Sequence, residues 1–266
     1  MFVCPDCKAP LNNLYCNVCQ RRFEEINQIP VLLSNDSRYQ AAGEIGKAYD
    51  QVYKNHSQVW DDQGRTPEFI AYFANLAARF STGQILEIGC GEGFLLSALR
   101  AKQLAAIDLS SEALSKARER ASVNGCVALA ERLPCSDGSF DMVLAVGVME
   151  HFLNDREATK EILRVLKPGG HYLTLIHVKT SVGERFRQKT REYFYPRMRP
   201  IALAKWISKK LVHPISQPIQ RLYTRQTAHA CLEESGFEVQ EIISKNTHAE
   251  APLIGPHVLT FVARKP

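Results

Sequence analysis

The chain has 266 residues, 45% of them hydrophobic and 23% charged, with a formal net charge of +5. That is too apolar for a disordered segment and too long for a single minimal domain, so one large domain with a small accessory module is expected. The sequence has no run of about 18 apolar residues to span a membrane and no basic and apolar export leader after Met1, so its eight cysteines are expected to be reduced thiols of a cytoplasmic protein.

Four of the eight cysteines fall in residues 1–33. Cys4 and Cys7, then Cys16 and Cys19, form two Cys-x-x-Cys knuckles separated by eight residues. A two-residue spacer lets a tight turn aim both sulfurs at one point, and four thiolates suit tetrahedral zinc. So short a segment buries too little apolar surface to fold unaided, and a structural metal would supply the missing stability. The competing readings are incidental cysteines or a redox pair, which would need a thioredoxin-like strand–helix junction. Four sulfur ligands leave no open position for catalysis at that metal.

Residues 34–66 read as a linker passing into helix. Ala48, Tyr49, Val52 and Tyr53 recur at helical spacing, and Asp61-Asp62-Gln63-Gly64 breaks the pattern. Strands and helices then alternate. Thr66 and Pro67 mark the start of a helix to Phe80. Strands are expected at Gln84–Ile88, Ala105–Leu109, Cys126–Ala130, Asp141–Val146 and His171–Ile176. Helices are expected at Gly93–Lys102, at Ser111–Asn124 closed by Gly125, and at Asp155–Leu166 stopped by Lys167-Pro168-Gly169-Gly170. Continuous apolar strands interleaved with helices imply a parallel sheet covered on both faces. Residues 178–225 interrupt the rhythm as an insertion. A helix at Thr227–Ser235, ended by Gly236, then leads to strands at Phe237–Ser244 and His257–Ala263, an antiparallel hairpin with a loop over 246–256.

Gly89, Gly91 and Gly93 lie between the first strand and the next element, where the backbone must approach a ligand closely. A dinucleotide loop reads Gly-x-Gly-x-x-Gly, whereas here the spacing is Gly-x-Gly-x-Gly, with Glu87 two residues ahead. A carboxylate at the loop mouth suits a ligand carrying an ammonium group and opposes a pyrophosphate. Asp108 ends the next strand, where a carboxylate takes ribose hydroxyls.

Ile85-Leu86-Glu87-Ile88-Gly89-Cys90-Gly91-Glu92-Gly93, Ile107-Asp108-Leu109-Ser110, Ala130-Glu131-Arg132-Leu133-Pro134, Asp137 to Asp141, Glu150-His151 and Val165 to Gly170 together resemble the core of class I S-adenosylmethionine-dependent methyltransferases. The resemblance implies a Rossmann-like seven-stranded α/β sheet over 67–266, with the insertion as a substrate lid. Glu87, Gly89, Gly91 and Gly93 would line the methionine end of S-adenosylmethionine, Asp108 would bind ribose, and Leu109 would pack on adenine. Leu129 stands where many relatives place an adenine-binding Asp, so Ala130 and Glu131 are expected to serve instead. Tyr49 and Tyr53 either close over the cofactor or simply pack their helix. Cys4 to Leu33 resembles zinc ribbons fused to, or partnering, some RNA methyltransferases.

Methyl transfer to a hydroxyl needs an aligned nucleophile and a general base. His151, after the fourth strand, and His177, at the end of the fifth, are the candidates; the alternatives are a pocket-shaping turn and a surface histidine. Cys135 reads as an apolar replacement in a loop. The stretch from Lys179 to Arg225 holds twelve Lys/Arg against two Glu, about +10, with Phe186, Tyr193, Phe194, Tyr195, Trp206 and Tyr223 interleaved. It suits RNA, an anionic membrane surface or lipid-linked substrate through an amphipathic helix at 201–212, or a lid with solvated charges. The expected function is methylation of a small-molecule or lipid-like acceptor at oxygen. An RNA methyltransferase and a non-catalytic cofactor-binding subunit are the alternatives.

Overall fold

A computed structural model describes residues 2–55, 66–178, 221–244 and 257–266. Most of the basic insertion, including the helix expected at 201–212, lies outside the described residues, as do the 61–64 break and the 246–256 loop. A nine-stranded sheet organises the chain in the order β10-β11-β9-β8-β5-β6-β7-β4-β3. Its strands are β3 (Glu24–Ile26), β4 (Ile29–Val31), β5 (Gln84–Ile88), β6 (Gln103–Asp108), β7 (Asn124–Val127), β8 (Phe140–Val146), β9 (Leu166–Val178), β10 (Glu238–Ser244) and β11 (His257–Arg264). Strands β4 to β9 pair in parallel, and β10–β11 is the expected antiparallel hairpin.

Alternation along the central strands explains the two-faced cover. Leu86, Ile88, Val143 and Ala145 point to one side, where they meet Ala158, Ile162 and Val165 of α4 (Asp155–Val165) and Ala228, Cys231 and Leu232 of α5 (Arg225–Glu234). Ile85, Ala106, Met142 and Leu144 point to the other, against Phe69, Phe73 and Leu76 of α2 (Pro67–Ala78) and Leu114 and Ala117 of α3 (Ser111–Arg120). Thr66 caps α2 as expected, its side chain accepting from the Phe69 N–H.

Seven of the nine strands are those expected; the other two come from the N-terminal segment. Val31 of β4 pairs with Val127 of the edge strand β7, and the Leu32 N–H donates to the Val127 carbonyl at 2.7 Å. The cysteine-bearing part adds β1 (Tyr15–Cys16) and β2 (Arg21–Arg22), an antiparallel pair. It docks on residues 133–135: Phe2 bridges Cys135, the Val3 N–H reaches the Pro134 carbonyl at 2.9 Å, and Lys8 Nζ reaches the Leu133 carbonyl at 3.1 Å and Glu161 at 2.7 Å.

Three sequence expectations are corrected. The helix expected over Gly93–Lys102 is a single 3-10 turn, Leu96–Ala98, because Gly93 is left-handed (φ +75°) and Leu99 is already extended, leaving too few residues to propagate an α-helix. Gly125 does not close α3: the helix ends at Arg120, and Gly125 lies inside β7, where a Cβ would approach the Leu114 side chain to 3.0 Å. Lys167 to Gly170 does not precede the fifth strand but is carried within it. Pairing jumps from Phe140–Leu166 to Met142–His171, and the Lys265 N–H bonds the Gly170 carbonyl.

Helix α1 (Ala42–Asn55) lies across the ends of β6 and α3. Its approach depends on Gly46, where a Cβ would meet the Leu109 carbonyl oxygen at 2.5 Å. Gly43, on the same helix, has nothing within 4 Å of its Cβ position. Gly46→Ala should therefore lower unfolding free energy by roughly 1–3 kcal/mol through overpacking, whereas Gly43→Ala should be neutral or raise it by at most about 1 kcal/mol. Urea melts of the two variants check this; equal effects would contradict the packing of α1.

Candidate active site

The carboxyl ends of parallel strands are where an open α/β sheet binds ligands, and the functional candidates converge there. Glu87 on β5 is 4% exposed, and its Oε2 has no hydrogen-bond partner among the described residues. Burial, with a smaller contribution from the charge of Asp108, pushes its carboxyl up to about 8. A buried, unpartnered carboxylate is costly unless a cation arrives to pair with it.

Asp108 at the end of β6 accepts the Gly91 N–H and the Ser110 N–H, each at 2.9 Å. Burial raises its carboxyl while these N–H groups pull it back down. The first contact holds the glycine loop in place. Gly89, Gly91 and Gly93 all have left-handed φ, at +66°, +52° and +75°. A Cβ at Gly89 would strike Val148 at 2.5 Å, one at Gly91 would approach the Tyr53 hydroxyl to 3.0 Å, and one at Gly93 would meet the Ala117 backbone at 2.9 Å. The three glycines thus leave the loop backbone bare where α1, α3 and the segment after β8 touch it.

Helix α1 is tied over this loop. Asp50 accepts from the Ser110 hydroxyl at 2.6 Å and the Glu112 N–H at 3.0 Å, capping α3 from outside. Lys116 Nζ bridges the Tyr53 carbonyl and Glu92. Tyr49 is half-buried, and its phenol is pushed up to about 12 by burial and by the charges of Asp108 and Glu150. No local pattern marks Asp50, whose partners lie some sixty residues away.

Leu109 follows Asp108 and packs beside Tyr39, Ala42 and Leu129, which form a small apolar cluster. Ala130 is buried next to it. Glu131 is 1% exposed, and its Oε1 accepts the Asn154 N–H at 3.0 Å. Its carboxylate therefore braces the loop before α4, and the wall offered to a base is apolar.

The segment after β8 turns at Met149–His151. His151 sits half-buried at the end of this turn, its N–H bonded to the Val148 carbonyl. Glu150 is 1% exposed and meets Nδ1 of His177, at the end of β9. The Arg221 N–H donates to the Glu150 carbonyl at 2.8 Å, and Val178 bridges Tyr223. The chain that leaves after Val178 therefore returns beside the same turn. Glu150 is the residue whose importance is hard to read from sequence; the signal was its place directly after a parallel strand, adjacent to a histidine. Cys135 is buried beneath the N-terminal segment, and its thiol is pushed up to about 12 by burial, so it is not a nucleophile.

The four N-terminal sulfurs converge. The Sγ atoms of Cys4, Cys7, Cys16 and Cys19 all lie within 4.8 Å of one another, with Cys4–Cys19 at 3.8 Å and Cys7–Cys16 at 3.5 Å. A tetrahedral zinc with sulfurs at about 2.3 Å requires edges of about 3.8 Å. Lys8 and Gln20, each immediately after the second cysteine of a knuckle, are left-handed, which closes both turns alike.

Residues 86–174, about a third of the chain, match the family model described as a methyltransferase domain. The chain is 28% identical over 129 residues to the ubiquinone biosynthesis O-methyltransferase of Idiomarina loihiensis, a match covering 43% of this chain and 53% of that protein. It is 30% identical over 188 residues to the mouse tRNA (carboxymethyluridine(34)-5-O)-methyltransferase, covering 69% of this chain and 27% of the relative. The chain thus spans about half or less of these curated relatives. Its fold aligns with a chain from the complex of a Haloferax volcanii methyltransferase activator and a methyltransferase, with a TM-score of 0.61 and 16% identity, covering 82% of this chain and 97% of the other.

The sulfur geometry makes a direct prediction. Purified protein should carry one zinc per chain by elemental analysis, and the double variant Cys4→Ser, Cys7→Ser should lose it together with protease resistance of the first 33 residues. Unchanged zinc content would remove the assignment.

Proposed function

We propose that this chain, whose central segment is a class I S-adenosylmethionine-dependent methyltransferase domain, methylates a small-molecule or lipid-like acceptor at oxygen. The observation that carries the reading is the juxtaposition of buried, unpartnered Glu87 with the left-handed glycine loop and Asp108. The ubiquinone O-methyltransferase supports an oxygen acceptor by its similarity.

In this reading Glu87 holds the cofactor's ammonium group, and Gly89, Gly91 and Gly93 let the backbone come close to its methionine portion. Asp108 takes the ribose hydroxyls. Leu109, Leu129 and Ala130 supply the apolar wall for adenine, with Glu131 bracing that wall from behind. Tyr49 covers the site from α1. S-adenosylmethionine supplies an electrophilic methyl group on a sulfonium centre. The protein's part is to align the acceptor and receive its proton, a role open to His151 and His177. The four cysteines hold a structural zinc that locks the N-terminal segment onto residues 133–135. Free thiols held as a ligand set suit the reducing cytoplasm. No described helix is long and apolar enough to cross a membrane; the basic 179–225 segment is the part suited to a membrane surface or RNA.

Two other readings have support of their own. Similarity to a tRNA methyltransferase, with the basic aromatic insertion, favours an RNA acceptor. Likeness to a chain from an activator complex leaves room for a cofactor-binding partner subunit. Methyl-labelled S-adenosylmethionine incubated with the protein and cell extract separates the three. Label in the organic-extractable fraction is expected. Label in RNA would favour the second reading, and cofactor binding without any transfer would favour the third.

Glu87 adds a pH prediction. Its carboxyl is raised to about 8 in the free protein, so pairing with an ammonium group forces it to ionise and release a proton. Cofactor affinity should rise with pH from about 5, approaching tenfold per unit, peak near about 8, and fall above it as the cofactor's own α-ammonium loses its proton. Glu87→Gln should bind more weakly and lose the slope. Calorimetry in two buffers of different ionisation enthalpy measures the proton; a flat wild-type profile would move the ammonium site elsewhere.

A further inference from the structure

Glu150 is among the most deeply buried carboxylates of the described chain, and the fold has gone to some length to place it. It sits in the turn immediately after β8, fixed by the His151 and Phe152 N–H bonds to Val148 and Met149. The Arg221 N–H holds its carbonyl from the returning chain. Its Oε1 meets His177 Nδ1, and its Oε2 is buried without a partner among the described residues. The turn also touches the glycine loop, since a Cβ on Gly89 would overlap Val148. The Glu150 turn and the cofactor cradle are thus one contiguous structure.

We propose that Glu150 and His177 form a carboxylate–imidazole pair that accepts the proton of a weakly acidic hydroxyl on the methyl acceptor, with Glu150 as the positioning residue and His177 as the catalytic base. The proposal rests on the methyltransferase reading above and specifies the acceptor and the base within it.

The chemistry follows from the hydrogen-bond inventory. An ionised carboxylate only accepts, so the imidazole nitrogen facing it carries the hydrogen, and the lone pair falls on Nε2. His177 is partly open, with 36% of its side chain exposed, whereas Glu150 behind it is sealed at 1%. It neighbours Val178, where the chain departs and where Tyr223 returns. The exposed side of His177 is the one an acceptor can reach. The charged and titratable groups around the pair are Tyr49 on α1, Asp108 at the end of β6, Tyr172 on β9, His151 in the turn and Arg221 on the returning chain. The Tyr49 phenol on α1 is raised by the charges of both Asp108 and Glu150.

The acceptor class follows as well. The carboxylates Asp108 and Glu150 oppose an acceptor that arrives as an anion. A phenol or enol hydroxyl arrives neutral and is acidic enough for imidazole to take its proton as the methyl transfers. In that step the acceptor oxygen forms the new bond to the methyl carbon, the carbon–sulfur electron pair leaves with sulfur and cancels the sulfonium charge, and the O–H proton ends on Nε2. The imidazolium is then balanced by Glu150.

The test has two readouts on the full chain. Nitrogen NMR of the protein without cofactor should find neutral His177 as the Nδ1–H tautomer, reverting to the more usual Nε2–H form in Glu150→Ala. Glu150→Gln, which can still accept from Nδ1 and keeps the volume, should retain the tautomer. With the label assay, His177→Ala should lose about 10²–10⁴-fold in transfer at neutral pH and recover as pH rises and the acceptor ionises unaided, with cofactor affinity unchanged. Glu150→Gln should lose about 10- to 100-fold. An Nε2–H tautomer in the wild type overturns the pair. So does full activity in His177→Ala, or label that ends on nitrogen or carbon. Failure of the wild type to bind S-adenosylmethionine would instead overturn the methyltransferase reading beneath it.

Discussion

The contact between the Asp108 carboxylate and the Gly91 N–H, at 2.9 Å, is the constraint on which the rest of the site depends. Three left-handed glycines in five residues cost backbone entropy and have no side chains to pack. Something outside the loop must fix it, and Asp108 does so from the neighbouring strand. The same carboxylate caps the start of the next segment through the Ser110 N–H. Ser110 in turn caps α3 and donates to Asp50, which ties α1 down. One side chain at the end of β6 therefore sets the loop, the helix after it and the helix that covers both. Ligand binding at Asp108 would act on all three.

The N-terminal segment is built into this arrangement. It extends the sheet through β4 and β3, so β7 is no longer an open edge. After β4 the chain runs to Asp36, Arg38 and Tyr39, which pair with Arg132 and Glu157. Tyr39 then packs on Leu129, the apolar wall beside the cradle. A segment too small for its own core gains one by combining four sulfurs around one point with a docking face on residues 133–135. Ordering at the cysteines is thereby transmitted along a continuous run of contacts to the side of the site where adenine would lie.

What the sequence made legible was local. Buried strands such as Gln84–Ile88 and Phe140–Val146 stand out because both faces are apolar, and Thr66-Pro67 is a start signal with a mechanism. The glycine spacing and the cysteine knuckles are likewise short-range patterns. The failures were long-range or depended on a single dihedral. Gly93–Lys102 has helical composition, but a left-handed first residue and an extended Leu99 cut it short. Gly125 looked like a helix stop because nothing in sequence reveals that Leu114 needs the space. β4 joined the sheet through Val127, almost a hundred residues away. Asp50 and Glu150 acquire their roles only from partners on other elements, Ser110 and His177.

Among the described residues, two buried carboxylates keep an unpartnered oxygen, Glu87 and Glu150, and each is two residues along the chain from the Gly89–Val148 contact. A site that buries two such groups is destabilised relative to one built from apolar side chains. That cost makes sense if each group meets its counterpart during function. Glu87 lies two residues before the first glycine of the loop, where the donor's ammonium group would neutralise it for as long as the donor is bound. Glu150 is paired with an imidazole, which becomes positive only when it takes a proton. One carboxylate would thus be matched in the ground state and the other as reaction proceeds. Binding energy at Glu87 would lower the energy of the bound complex, whereas stabilisation at Glu150 would appear only as proton transfer begins and so lower the barrier itself. The division of labour between Glu87 on β5 and Glu150 after β8 would then follow from which of the two cations each carboxylate meets.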